Sequence, residues 1–294
     1  MAVAERIKTS KSLLESLKKE VDEIKNNRVL TTLRETVRAR SSDISKLEWP
    51  SATEVRCIRT LKGHGSEVTS LSWSGDSVVL ASVGKDGQVI VWNALNNRKI
   101  QTINHPTQWL MTCSFERTEN RLLATGGADR TCSIFITGQI GMTRPTAVLS
   151  GHDGYLSDCQ FTDEKSLLTA SGDSSVILWD VTNQQVKGKF TEHAADCLTV
   201  AVLDTNTFAS GSADSTVKIW DIRSGRSTRT FQGHTSDVNS VAFFPNGQAV
   251  ASASTDSTCR LFDIRSYAEI AVFDVRESDT PVTSGEESYK IYIL

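Results

Sequence analysis

One constellation recurs five times along this 294-residue chain, and a chain that repeats at a fixed period builds its core by stacking equivalent units. Asp86, Asp129, Asp173, Asp214 and Asp256 follow one another at spacings of 43, 44, 41 and 42 residues. Four residues before each stands a hydroxyl (Ser82, Thr125, Thr169, Ser210, Ser252), and six after each an aromatic ring (Trp92, Phe135, Trp179, Trp220, Phe262). In four of the five copies a histidine leads the group: His64, His152, His193 and His234 precede their aspartates by 21 or 22 residues.

Within each copy the segments alternate, are rich in β-branched and aromatic residues, and are bounded by Gly, Asp, Asn and Ser, as in "VTSLSW", "LATGGADRTCSIF", "SVILWD" and "STVKIWD". A weaker run closes each copy ("RKIQTI", "RPTAVL", "QVKGKF", "RSTRTF", "AEIAVF"), and "RCIRTL" at 56–61 stands ahead of the first. Short strands, a period near 42 and a Gly-His…Trp-Asp signature predict an all-β fold, a WD40 β-propeller over residues 50–273.

A histidine, a serine and an aspartate in one span invite a hydrolytic reading. A catalytic triad is needed once, however, and this group stands in nearly every copy. In the WD40 family, which the chain resembles, the four groups form a hydrogen-bonded chain inside each sheet, and a fully satisfied network fixes one packing. Phe135 and Phe262 offer no indole donor, so their networks are expected to be shorter. The second copy has Pro106 where the others have histidine, and His105 is one place out of register, so its histidine link is expected to be missing and His105 to be a loop residue. There is no GxxxxGK[ST], no GxGxxG after a strand and no metal-ligand spacing of His or Cys. The expectation is a protein that is not an enzyme, with no cofactor and no metal.

A formal charge of −3 and the lack of a basic stripe argue against nucleic acid as a partner. Six cysteines (Cys57, Cys113, Cys132, Cys159, Cys197, Cys259) form no Cys-x-x-Cys pair, and several sit in apolar alternation, which reads as buried free thiols in a reducing compartment. The N-terminus has no apolar stretch of signal-peptide length, and no apolar run approaches the roughly 20 residues that span a bilayer. A soluble, intracellular protein is expected.

Residues 1–49 are a different object. Residues 4–40 lack glycine and proline, and Ile7, Leu14 and Val21 fall seven apart, with Leu17 and Ile24 at the complementary positions. This is a heptad seam on an N-terminal helix, and it falters near Asn26-Asn27. Its mate is a partner's helix, a second copy or the propeller's own side.

A heptad helix ahead of WD40 repeats resembles the beta subunit of heterotrimeric G proteins, and stretches such as "QWLMTCSF", "GHDGYLSDCQF" and "TDSTCRLFDIR" are similar to it beyond generic WD40 features. The resemblance covers about residues 5–284. It implies that the helix (Ile7, Leu14, Leu17, Val21, Ile24) pairs with a gamma subunit. It further implies that one propeller face binds the GDP-loaded alpha subunit and, after alpha leaves, effectors. The matching positions are Trp109, Met111, Tyr155, Asp196, Leu198, Asp237 and Asn239, an aromatic and methionine anchor ringed by carboxylates. The chain departs from the family at Glu67 and Thr69 (a lysine and a tyrosine there), at Ala128 and Arg130 (a leucine and an asparagine) and at Thr255 (an aspartate).

The family's propeller has seven blades, whereas five complete copies stand here. Residues 274–294 open a sixth with "PVTS" at 281–284 and then leave the pattern at Gly285. "RCIRTL" is thereby left without a mate, and two sheet faces are expected to lie open. The resemblance implies a cytoplasmic protein reaching the plasma membrane only through its partner's lipid. The alternative is a WD40 scaffold of another complex, of the ubiquitin-ligase or RNA-processing type.

Overall fold

The computed structural model describes Cys57, residues 59–138 and residues 144–274. The N-terminal helix with Ile7, Leu14, Leu17, Val21 and Ile24 and the segment after Asp274 lie outside the described residues. Among the described residues every regular element is a strand, and no helix is long and apolar enough to cross a membrane.

Five four-stranded antiparallel sheets follow one another, each a simple meander. The first holds β1 (Val68–Trp73), β2 (Val79–Gly84), β3 (Gln88–Asn93) and β4 (Arg98–Asn104). The second holds β5 (Leu110–Phe115), β6 (Leu122–Gly127), β7 (Thr131–Ile136) and β8 (Ala147–Ser150). The third holds β9 (Leu156–Phe161), β10 (Ser166–Ser171), β11 (Val176–Asp180) and β12 (Gln185–Phe190). The fourth holds β13 (Cys197–Val202), β14 (Thr207–Ser212), β15 (Val217–Asp221) and β16 (Arg226–Phe231). The fifth holds β17 (Val238–Phe243), β18 (Ala249–Ser254), β19 (Thr258–Asp263) and β20 (Ala268–Asp274). "LATGGADRTCSIF" is thus two strands and the hairpin between them. β8 starts at Ala147, three residues into "RPTAVL", because Pro145 has no amide to give the ladder. In "RCIRTL" the described residues Cys57 and Arg59–Leu61 lie outside any strand.

The turn between the second and third strands explains the aspartate. The residue after it has a left-handed φ in every copy: 70° at Gly87, 65° at Arg130, 67° at Ser174, 62° at Ser215 and 67° at Ser257. Asp favours such a tight turn because its side chain accepts an amide two residues on, from Gln88, Thr131, Ser175, Thr216 and Thr258 at 2.8–3.3 Å. The other carboxylate oxygen is left to face inward.

There it meets the histidine. In the fourth sheet His193 Nδ1 lies 2.8 Å from Asp214, His193 Nε2 lies 2.7 Å from Ser210 Oγ, and Trp220 Nε1 donates to that same Oγ at 2.7 Å. An indole N–H only donates and a carboxylate only accepts, so the chain has one direction: Trp220 to Ser210 to His193 to Asp214. The first sheet repeats it through Trp92, Ser82, His64 and Asp86. The third repeats it through Trp179, Thr169, His152 and Asp173. In the fifth sheet the chain stops at Ser252, His234 and Asp256, since Phe262 has nothing to donate. In the second, the Thr107 hydroxyl takes the histidine's place on Asp129 at 2.6 Å, and His105 lies 3.1 Å from Ser133 Oγ instead.

Apolar clusters join the first sheet to the second, the second to the third, the third to the fourth and the fourth to the fifth. Among the described residues no such cluster joins the fifth to the first. All five inner strands contribute to one cavity of about 270 Å³, lined by Ser70, Ser114, Asp158, Thr199 and Ser240 among others. Asp158 ties three sheets together there, accepting from Thr112 Oγ1 at 3.0 Å and from Thr199 Oγ1 and the Val200 amide at 3.1 and 3.0 Å. The outer strands carry Arg98, Lys99, Lys187, Lys189, Arg226 and Arg229, charges that discourage edge-to-edge pairing.

Four of the six cysteines are buried thiols, Cys259 is half-buried and Cys57 is exposed, which corrects the reading of Cys57 as an interior residue. Residues next to an exposed loop share the apolar spacing without sharing the burial.

Candidate functional site

With the histidines used internally, the other positions singled out in the sequence of the sheets lie along one rim. The residue just before each inner strand is Glu67, Trp109, Tyr155, Asp196 or Asp237, and each plays the same backbone role. Its carbonyl accepts the amide of Lys85, Ala128, Gly172, Ala213 or Thr255 at 2.9–3.0 Å. That bond pins the strand entrance to the turn carrying the repeat aspartate.

The second residue of each inner strand is a β-bulge. Register shifts occur between Val68 and Ser70, Leu110 and Thr112, Cys197 and Thr199, and Val238 and Ser240, and opposite Ser157 in the third sheet. A bulge leaves one residue unpaired and re-aims it. Thr69 uses this to donate to the Leu110 carbonyl of the next sheet at 2.7 Å, and Ser157 likewise reaches the Cys197 carbonyl. Met111, Leu198 and Asn239 occupy the same bulge position and are half-buried. The seven residues picked out from sequence therefore stand at two repeat-equivalent positions on one rim.

Trp109 is the exposed member, with 59% of its surface open to solvent. Lys85 Nζ stands 5.7 Å from its ring centroid and 2.6 Å from the Glu67 carboxylate. Glu67 thus neutralises Lys85 rather than presenting a bare charge. Sequence reasoning missed Lys85; the signal was its place directly before Asp86, where the other copies carry Ala128, Gly172, Ala213 and Thr255. Tyr155 is half-buried and donates to Asp196 at 2.8 Å. Burial first, then that hydrogen bond and the charges of Asp196 and Asp237, push its hydroxyl up to about 12.

Such a surface can bind protein, with an aromatic anchor, a methionine and flanking carboxylates. Among the described residues no group of three His, Cys, Asp or Glu is placed to hold a metal ion.

A family model described as G protein beta WD-40 repeat protein matches residues 11–290. A guanine nucleotide-binding protein subunit beta of Lymnaea stagnalis is 39% identical over 202 residues, which are 66% of this chain and 58% of that one. The chain thus spans less than two thirds of that relative's length.

Proposed function

The chain belongs to the G protein beta WD-40 repeat family, and on that premise we propose that it is a non-catalytic signal transducer whose sheets carry a protein-binding rim. In this reading the GDP-loaded alpha subunit docks on Trp109, Met111, Tyr155, Asp196, Leu198, Asp237 and Asn239, and effectors use overlapping residues once alpha leaves. The segment with Ile7, Leu14, Leu17, Val21 and Ile24 pairs with a gamma subunit, whose lipid brings the complex to the cytoplasmic face of the plasma membrane.

The observation that carries it is Trp109, a large ring left in solvent at a position fixed by a backbone hydrogen bond. Large exposed rings of this kind are frequent energetic anchors in interfaces. The test is capture of a GDP-loaded alpha subunit by the chain co-expressed with gamma. Trp109→Ala is expected to weaken capture at least tenfold while the thermal melt stays unchanged. Undiminished capture sinks the rim assignment. Co-purification in a large assembly without a small helical partner sinks the transducer reading and favours a scaffold.

A further inference from the structure

Every contact between neighbouring sheets is built from the same two sides. The earlier sheet contributes the last apolar residue of its outer strand, Ile103, Leu149, Phe190 or Phe231, none more than 4% exposed. The later sheet contributes the first and fourth residues of its inner strand, such as Leu110 with Cys113 or Val238 with Val241, none more than 6% exposed. Only the ends of the series depart. Val68 and Leu71, first and fourth on β1, are 48% and 41% exposed, and Phe273, the counterpart of Phe231 on β20, is 59% exposed.

These are the two halves of one recurring interface, parted to opposite ends of the series. We propose that the fifth sheet of one copy receives the first sheet of a second copy, head to tail, with Phe273 of the one against Val68 and Leu71 of the other. The four internal interfaces are the template for the fit, and burying such residues is favourable by about 25 cal/mol per Å². The chain's own tail is a poorer occupant by sequence: counted from "PVTS", Gly285 and Glu287 stand where β1 has Leu71 and Trp73. Leu61 packs on Leu80, Ile90 and Trp92, seven residues before Val68 as Phe231 is before Val238. It belongs to no strand, and it gives way to a Phe273 that arrives on a formed one. A head-to-tail contact leaves one face free at each end of a pair, so association continues until the series closes as a ring or extends as an open one.

Sedimentation of the full 294-residue chain tests this. The wild type is expected to form a concentration-dependent series. Leu71→Glu spoils only the first sheet's face and Phe273→Glu only the fifth's, and both positions are solvent-exposed within one chain, so the melt of each is expected to match that of wild type at a concentration low enough to keep it monomeric. Each variant alone is expected to be monomeric, and a 1:1 mixture to form a dimer that grows no further. Cys259, in register with Phe273, supplies a second readout: its thiol reactivity is expected to fall with wild-type concentration while that of the exposed Cys57 does not. A wild type that stays monomeric at high concentration overturns the proposal. Association that both variants retain, or a mixture that stays monomeric, overturns it as well.

Discussion

Tyr155 donates its phenolic hydroxyl to Asp196 at 2.8 Å, across the boundary between the third and fourth sheets. Two residues of the candidate rim therefore hold each other in place, and the carboxylate points along the rim rather than away from it. Tyr155→Phe is expected to cost roughly 1 kcal/mol, the net worth of one such bond. The tyrosine's folded value lies near 12 against an ordinary 10, so its contribution to stability is whole below pH 10 and fades as pH rises toward 12. Phenolate absorbance in an alkaline titration checks this: wild type is expected to show one late tyrosine that the phenylalanine variant lacks.

Ser210 is fully buried and serves two partners, accepting from Trp220 and standing 2.7 Å from His193. Ser210→Ala strands both, and each unsatisfied buried polar atom costs about 1–3 kcal/mol. Ser252 occupies the same place in the fifth sheet but serves only His234, because Phe262 has no N–H. Urea unfolding is therefore expected to show Ser210→Ala losing roughly twice what Ser252→Ala loses, about 3 against about 1.5 kcal/mol. Equal losses contradict the directed chain of hydrogen bonds.

Much of this fold is written in the spacing. The interval of 21 or 22 residues from His193 to Asp214 and from His234 to Asp256 shows that one geometry recurs, because the same residue types must meet at the same place. Strand alternation likewise marks Leu110 as interior. The bulge at Met111 is not legible, since it arises from the fit between β5 and β6 and shifts the register without changing the residue pattern. Lys85 differs in sequence only by standing before Asp86 where the other copies are uncharged; its pairing with Glu67 and Trp109 is not legible, because those two residues lie at the entrances of two different sheets. Val68 and Val238 read alike along the chain, yet one is exposed and the other buried, because burial there is decided by the neighbouring sheet and not by local sequence.

Acid should act through the same network. Burial alone would raise the Asp173 carboxyl, but hydrogen bonds from Ser175, His152 and the Asp153 amide overbalance it and hold it at about 2. Asp214 and Asp256 are lowered for the same reasons, and burial lowers His152 and His234 below their ordinary 6.5. A depressed aspartate stabilises the fold above its unfolded value of 3.8 and loses that contribution as pH falls through the folded value. The depressed histidines act in the same direction, beginning below pH 6.5. The melting temperature is expected to drop gently from pH 7 to 5 and steeply from 4 to 2. Asp173→Asn should flatten the steep part, and a slope identical to wild type would count against the assignment.

Asp158 sets a harder test of how the sheets are joined. Its two oxygens accept from Thr112 of the second sheet and from Thr199 and the Val200 amide of the fourth, while it belongs to the third. Asp158→Ala leaves two buried threonine hydroxyls and one amide without this acceptor, for an expected loss of about 3 kcal/mol. Asp158→Asn keeps one oxygen and so retains one side of the bridge, with an expected loss about half as large. The carboxylate lies on the cavity wall and is not one of the rim side chains, so both variants are expected to bind partners normally when folded. Urea midpoints ordered wild type, Asp158→Asn, Asp158→Ala support a three-sheet tie. If the asparagine variant matches wild type, the bond that matters is the one to the Val200 amide and Thr199 alone, and the second sheet is held by its apolar contacts instead.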